Sequence, residues 1–127
     1  MKKLFILLLL LPMFLLTSCS TTKIGWVEMN YGNDFEASYQ LFDGEERERI
    51  QLDAGDTFSL SYDVDVEDGA LSVQFLDPDG NARWEETFLE DAADVFEFTA
   101  EASGRYSLIV TGDNAEGSFD LSWDVSE

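Results

Sequence analysis

Carboxylates are almost the only side chains in this sequence that could do acid–base or metal chemistry. The 127 residues include 27 Asp and Glu, no His, and one Cys at position 19. Without His, Ser-His-Asp and Cys-His arrangements and His-ligated zinc are all excluded. Paired carboxylates can hydrolyse glycosides, and four acids are candidates by residue type: Asp63, Asp65, Glu85 and Glu86. Because so many acids must lie somewhere, the simpler interpretation is a solvated sheet face, and we expect a protein that is not an enzyme.

Calcium is the metal that suits a ligand set made only of oxygen atoms. Residues 63–69 (DVDVEDG) begin like an EF-hand loop, but the glycine comes one position late and Gln74 stands where a glutamate is needed. A site at the strand ends fits better, since successive antiparallel strands bring their turns to a common end. The calcium candidates at that end are Asp43, Glu67, Asp68, Asp113 and Glu116. The alternative is that these residues are ordinary turn formers.

The elements that would position these acids are strands. In residues 58–66, Phe58, Leu60, Tyr62 and alternate valines share one face while serines and aspartates take the other. Nine such segments, separated by turn signals roughly every 8 to 12 residues, predict an all-β fold: a single antiparallel β-sandwich, jelly-roll-like in arrangement. Turns are predicted at 43–44, 67–69 and 77–80. No window after Cys19 has helical periodicity.

Individual segments carry finer predictions. Residues 46–52 (ERERIQL) alternate in charge, which is typical of an edge strand that discourages pairing with other chains. Most aromatic residues are in phase with aliphatic neighbours, so Phe119 and Trp123 are predicted to be core. Trp26, in a first strand predicted at 24–30, and Tyr31, in the turn after it, do not fit that pattern. These two could belong to a platform that stacks on sugars or peptides.

The net charge restricts the partners. It is −20 for the whole sequence and about −22 once Lys2 and Lys3 are removed with the signal described below. Such a surface repels nucleic acid and anionic lipid. The aromatic content is nevertheless too high for a disordered acidic tail, so we expect a folded domain.

The N-terminal region has the form of an export signal. Lys2 and Lys3 precede an apolar run over residues 4–16, which is too short for a spanning helix of about 20 residues. It ends in Leu16-Thr17-Ser18-Cys19. This segment resembles a bacterial lipoprotein signal peptide with its lipobox. The resemblance implies that Cys19 is lipidated by diacylation, that the chain is cut before it, and that the protein is anchored in the membrane outside the cytoplasm.

The predicted organisation is therefore a lipoprotein signal peptide at 1–18, the lipidated cysteine and a tether at 19–23, and a sandwich at 24–127. Residues 42–125 resemble the bacterial pre-peptidase C-terminal domain and its GOLD-like relatives. The resemblance lies in residues 52–56 (LDAGD), 77–80 (DPDG), 96–100 (FEFTA) and 103–106 (SGRY). It implies a β-sandwich accessory module without catalytic residues of its own.

Three functions follow from these observations. The first is a membrane-anchored extracytoplasmic lipoprotein whose acidic sandwich is a non-catalytic binding or envelope-interaction module for a glycan, cell-wall or protein partner. The second is a structural or accessory subunit of a larger complex with no ligand of its own. The third and most remote is a carboxylate-based hydrolase. An exposed aromatic patch would favour the binding module, and an exposed apolar sheet face would favour the accessory subunit. A carboxylate-lined cleft would favour the hydrolase.

Overall fold

The computed structural model describes residues 21–127, and this part of the chain forms seven strands. They are β1 (Thr22–Ile24), β2 (Val27–Tyr31), β3 (Asp34–Leu52), β4 (Thr57–Leu76), β5 (Ala82–Phe88), β6 (Ala92–Thr99) and β7 (Gly104–Ser126). All strand pairs are antiparallel. Over residues 21–127 there is no helix that could cross a membrane. The predicted signal peptide, its lipobox and Cys19 lie outside the described residues.

Three long strands build both layers of a sandwich. β3, β4 and β7 each bend near the middle, so the two halves of each strand pair within different layers. The first layer runs in the order β2, β3 (34–39), β7 (117–126), β4 (57–66) and β6. The second runs β3 (44–52), β7 (104–113), β4 (70–76) and β5, while β1 pairs with β3 beside its bend. The predicted all-β antiparallel sandwich is confirmed.

The bends stand where the sequence predicts turns at 43–44 and 67–69, and those two predictions are wrong. β3 and β4 continue as strands through both segments, with register shifts at the bend. Gly69 has a φ of 72°, and a Cβ there would lie 2.2 Å from the carbonyl oxygen of Asn114 on β7. The strands come too close for a side chain, so the glycine permits a bend. Six of the predicted strands therefore merge in pairs to form β3, β4 and β7, and the predicted strand 24–30 divides into β1 and β2. The result is seven strands instead of the predicted nine.

The core lies between the two layers. The rings of Phe58 and Phe75 stack with centroids 4.6 Å apart, which joins the two halves of β4 across the sandwich. Phe119 is 1% exposed and Trp123 is 6% exposed, as predicted. Burying a side chain of this size contributes about 1.5–3 kcal/mol. The alternation seen in the sequence therefore identifies the faces that hold the layers together.

The edges and the first strand complete the fold. Residues 45–52 pair only with β7 among the residues described, so the predicted edge strand is confirmed. The predicted turn at 77–80 is also present, with Asp77 Oδ1 accepting hydrogen bonds from the backbone N–H of Asp79 at 3.0 Å and Asn81 at 2.9 Å. β1 begins at Thr22, within the segment 19–23 expected to be a tether.

Candidate functional site

The outer face of the first layer carries a groove lined by acids and serines. Glu36 on β3 lies opposite Asp120 on β7, which lies opposite Asp63 on β4, so three carboxylates cross the sheet in one row. Since side chains alternate along a strand, all three point away from the core. Their inward neighbours on the strands are buried. The row forms the centre of the groove floor.

A second row runs beside the first. Ser38, Ser118 and Asp65 lie opposite one another on β3, β7 and β4. The hydroxyl of Ser118 donates a hydrogen bond to Asp65 Oδ2 at 3.3 Å. Val27 and Met29 of β2 form one wall, and the cavity measures about 250 Å³. We call this cavity the acidic groove; it is lined chiefly by Val27, Met29, Glu36, Ser38, Asp63, Asp65, Ser118 and Asp120.

A carboxyl pair lies at one end of this floor. The Oδ1 atoms of Asp34 and Asp120 are both covered, and neither receives a hydrogen bond from a donor. The neighbouring carboxyl of Asp34, with which Asp120 can form a hydrogen bond once one of the two groups is protonated, raises the pKa of Asp120 to about 6; burial and the charges of Asp34, Glu36 and Asp63 act in the same direction. Asp120 is thus the acid in the groove whose charge depends on pH near neutrality.

Asp34, Glu36 and Asp120 could also contact a cation. Within residues 21–127 they form the one group of three acids in which one carboxylate oxygen from each residue lies within 4.8 Å of the other two. Oxygen ligands suit calcium or magnesium, but calcium takes six to eight of them. The three acids therefore make a partial ligand set on an open face. No sequence pattern groups these three residues, because their proximity depends on the pairing of β3 with β7.

The predicted calcium residues lie elsewhere, at the bends of the three long strands. Asp68 pairs with Glu116, and Asp113 pairs with Ala70. Asp43 Oδ1 accepts a hydrogen bond from the backbone N–H of Asn114 at 3.2 Å, which joins the bend of β3 to that of β7. The five acids share one end of the sandwich, but in the described part of the chain their carboxylates do not form a group as close as that in the groove. Calcium binding there stays a prediction.

The four acids considered for glycoside hydrolysis are divided between the layers. Asp63 and Asp65 lie on the groove floor. Glu85 and Glu86 lie on β5 of the second layer. Glu86 accepts a hydrogen bond from the hydroxyl of Tyr62 at 3.2 Å, and burial followed by the charge of Glu86 raises the pKa of Tyr62 to about 12. This arrangement does not bring the four acids to one cleft.

The two unexplained aromatic residues have different surroundings. Trp26 is partly buried and stacks on Tyr39 with ring centroids 5.6 Å apart, so it extends the core. Tyr31 is 87% exposed at the end of β2. It lies on the same side of β2 as Val27 and Met29, beside the acidic groove. Tyr31 is therefore the aromatic residue of the pair that is available to a ligand.

No protein-family model and no curated protein matches this chain. Several solved structures resemble it in fold. The secreted serine protease VesC from Vibrio cholerae matches 77% of the chain at 13% identity with a TM-score of 0.53. The enzymatically active domain of tailspike protein 4 from bacteriophage CBA120 matches 84% at 14% identity with a TM-score of 0.49. A carbohydrate-binding module, TmCBM61, in complex with β-1,4-galactotriose, matches 80% at 17% identity with a TM-score of 0.46.

The extent of these matches limits what they show. The chain spans 22% of the VesC chain, 19% of the tailspike chain and 70% of the TmCBM61 chain. At such low identity the likeness concerns the β-sandwich fold, which many unrelated functions share. The function must be argued from the groove itself.

Proposed function

We propose that this protein is a non-catalytic binding module, held on the outer side of a bacterial membrane by lipid on Cys19, with its ligand seated in the acidic groove. The observation that carries the binding role is the groove of about 250 Å³, which is open to solvent and combines carboxylates with exposed apolar side chains of β2. Binding sites typically join an apolar surface to a few well-placed polar groups.

The anchor is supported by the sequence alone. Cys19 follows an apolar run and a lipobox-like tripeptide, and it is the one cysteine of the chain. Stable anchoring takes two acyl chains, which a diacylated cysteine supplies. Because three residues span about 10 Å at most, the first strand would start close to the bilayer. A Cys19→Ser variant should remain uncleaved and unlipidated; normal maturation and membrane partitioning of that variant would contradict the anchor.

The absence of catalysis rests on side-chain chemistry. The chain has no His, and its only Cys is assigned to lipid. The carboxylates of the acidic groove lie on an open sheet face, where water screens their charges. A general acid and base would need a more enclosed site that excludes water and holds the substrate. Binding a ligand does not require such an enclosed site.

Binding can be tested on the domain without its anchor. Every buried core side chain lies between Phe35 and Trp123, and the partly buried Trp26 also follows Ser20, so a chain that starts at Ser20 keeps the whole core. We expect it to bind a component of the bacterial envelope from a panel of glycans, cell-wall fragments and peptides. A Glu36→Gln/Asp63→Asn variant should lose that binding, while a Glu85→Gln control should retain it. Folded domain that binds no member of the panel would contradict the proposal.

A further inference from the structure

Strand β2 has the opposite apolar and polar faces from its neighbour β3. Its apolar residues, Val27, Met29 and Tyr31, point outward and are 64%, 64% and 87% exposed. Its polar residues, Glu28 and Asn30, pair with the buried positions 37 and 35 and so lie on the core side of the sheet. We call Val27, Met29 and Tyr31 the apolar stripe. The usual pattern, with polar residues outward, is reversed here.

The polar residues of β2 are held in place by specific hydrogen bonds. The side-chain amide of Asn30 donates to Glu48 Oε1 at 2.7 Å, and Trp26 Nε1 donates to Glu28 Oε1 at 3.3 Å. A shift of one residue would turn the stripe inward but break the contact between Asn30 and Glu48. The exposure of the stripe is therefore a property of this pairing. A contiguous exposed apolar surface commonly marks an interaction site.

Among the residues described, no basic side chain pairs with the carboxylates next to the stripe. The basic residues of the described chain form three ion pairs, with Glu46, Glu45 and Asp77, and none of these acids lines the groove. Glu36, Asp63, Asp65 and Asp120 consequently leave a concentrated negative field beside an apolar surface. A partner that fits both must present apolar and cationic groups together.

We propose that the apolar stripe and the acidic groove together bind an extended, lysine- or arginine-bearing segment of another protein. This inference rests on the proposed function and names the ligand of that site. Apolar side chains of the segment would cover Val27, Met29 and Tyr31, and its cationic groups would lie over the carboxylates. Among the strands described, β2 pairs with β3 alone, so its other edge is open to main-chain hydrogen bonds with such a segment.

Other occupants fit the surface less well. A second copy of this chain carries the same strong negative charge and would be repelled. An anionic bilayer would be repelled by the same carboxylates. A neutral glycan would leave that charge uncompensated, and sugar stacking uses aromatic faces, of which the stripe offers Tyr31 alone. Charge complementarity thus favours the basic segment.

The test uses the chain starting at Ser20 and fluorescent ten-residue peptides. One peptide, the Lys/Val peptide, repeats Lys-Ser-Val-Ser, which puts Lys and Val on the same face of an extended chain; a second has Glu in place of Lys, and a third has Ser in place of Val. We expect the Lys/Val peptide to bind, more weakly at 500 than at 50 mM salt, and the others to bind at least tenfold more weakly. Asp63→Asn/Asp65→Asn and Met29→Ser/Tyr31→Ser should each raise the Kd at least tenfold.

Matched controls separate the site from diffuse attraction. Glu85→Gln/Glu101→Gln removes the same charge elsewhere, and Leu89→Ser removes another exposed apolar side chain, which is 73% exposed. Each should change the Kd less than twofold. If the control variants weakened binding of the Lys/Val peptide as much as the groove and stripe variants do, the proposal would be overturned. Since all substituted side chains are exposed, an unfolding midpoint no lower than that of the unaltered domain shows that the variants are folded.

The same measurements distinguish failure of this inference from failure of the binding role. Groove-dependent binding of a neutral oligosaccharide in place of the Lys/Val peptide would overturn the cationic ligand and leave the binding module intact. Stripe-dependent dimerisation, or stripe-dependent binding to phosphatidylglycerol vesicles, would overturn it in favour of those occupants. Binding of none of these probes or envelope components would overturn both.

Discussion

The outer faces of the two layers differ in electrostatic character. On the first layer, the acidic groove gathers carboxylates, and no ion pair in the described chain reaches them. On the second, Arg47, Arg49 and Arg105 share the outer face with acids that include Glu45 and Glu85, and Arg47 pairs with Glu45 at 3.5 Å. Three of the five basic residues of the described chain thus lie on one face. The net charge of the protein alone could not reveal this division.

The apolar side chains of the two faces differ in the same way. Ile109 occupies an outward position of β7 in the second layer, between Arg47 and Gln74, yet it is 3% exposed. Long neighbouring side chains can cover an apolar group in this manner. On the first layer, Val27 and Met29 remain exposed beside short aspartates and serines. On the second face, neighbouring side chains therefore cover the apolar residue Ile109, whereas on the first face the apolar side chains of β2 remain exposed.

The largest expected effect tests what supports the groove. Phe119 lies on β7 between Ser118 and Asp120 of the groove floor and stacks on Phe35 with ring centroids 5.1 Å apart. Truncation to Ala would leave a cavity beneath the floor, so we expect Phe119→Ala to cost about 3–5 kcal/mol of unfolding free energy. Chemical denaturation measures this. A loss below about 1 kcal/mol would show that the floor does not depend on this core.

The second prediction concerns the uneven charge. Folding brings the carboxylates of the first layer together, and salt at physiological strength screens only beyond about 8 Å. We expect sodium chloride to raise the unfolding midpoint by several degrees, equivalent to about 1 kcal/mol for a domain of this size. An unfolding midpoint that does not change with sodium chloride concentration would contradict repulsion between the carboxylates.

Divalent ions distinguish screening from a metal site. At matched ionic strength, screening should respond similarly to magnesium and calcium, whereas a carboxylate site should prefer calcium. Should micromolar calcium alone raise the midpoint, Glu36→Gln and Asp68→Asn would locate the site. If Glu36→Gln abolishes the calcium-dependent rise of the midpoint, the site lies in the acidic groove. If Asp68→Asn abolishes it, the site lies at the predicted calcium residues of the bends.

The sequence predicts the core of this protein better than its groove. Alternation is local, so Phe58, Phe119 and Trp123 could be assigned inward positions without knowing their partners. The bend at residues 67–69 has the same Glu-Asp-Gly composition as a hairpin turn, and only the passage of β7 beside Gly69 decides between them. Local patterns cannot supply that information.

The groove depends on pairing between distant segments. Glu36 and Asp120 become neighbours through the register of β3 with β7, which no local pattern specifies. For β2, alternation shows that Val27, Met29 and Tyr31 share a face but not which face is buried. The expectation that apolar residues turn inward fails there, which is the pattern anticipated for a functional surface.

A smaller effect is expected from the carboxyl pair. The folded pKa of Asp120, about 6, lies above its ordinary value of 3.8, so the folded state binds this proton more tightly than the unfolded chain. The corresponding stability is present below about pH 4 and is lost as the pH rises through about 6. Asp120→Asn should remove that step and stabilise the protein at pH 7 by less than about 1 kcal/mol, because the group is partly exposed to screening water.

Denaturation at several values between pH 4 and pH 8 measures the step. Asp124→Asn, which makes the same substitution further along β7, is the matched control and should leave the step in place. An unchanged pH dependence in Asp120→Asn would contradict the shared proton between Asp34 and Asp120.

The smallest expected effect separates stability from recognition on the first layer. Met29→Ser and Tyr31→Ser alter side chains that are mostly in water, so each should change the unfolding free energy by no more than about 0.5 kcal/mol. The covered Ile109 of the second layer provides the contrast, since Ile109→Ala should cost about 2 kcal/mol or more. A loss from Tyr31→Ser as large as that from Ile109→Ala would mean that the apolar stripe belongs to the fold. If the unfolding free energy changes little in Met29→Ser and Tyr31→Ser but falls in Ile109→Ala, the side chains of the apolar stripe contribute little to the stability of the fold. They are then available to a partner.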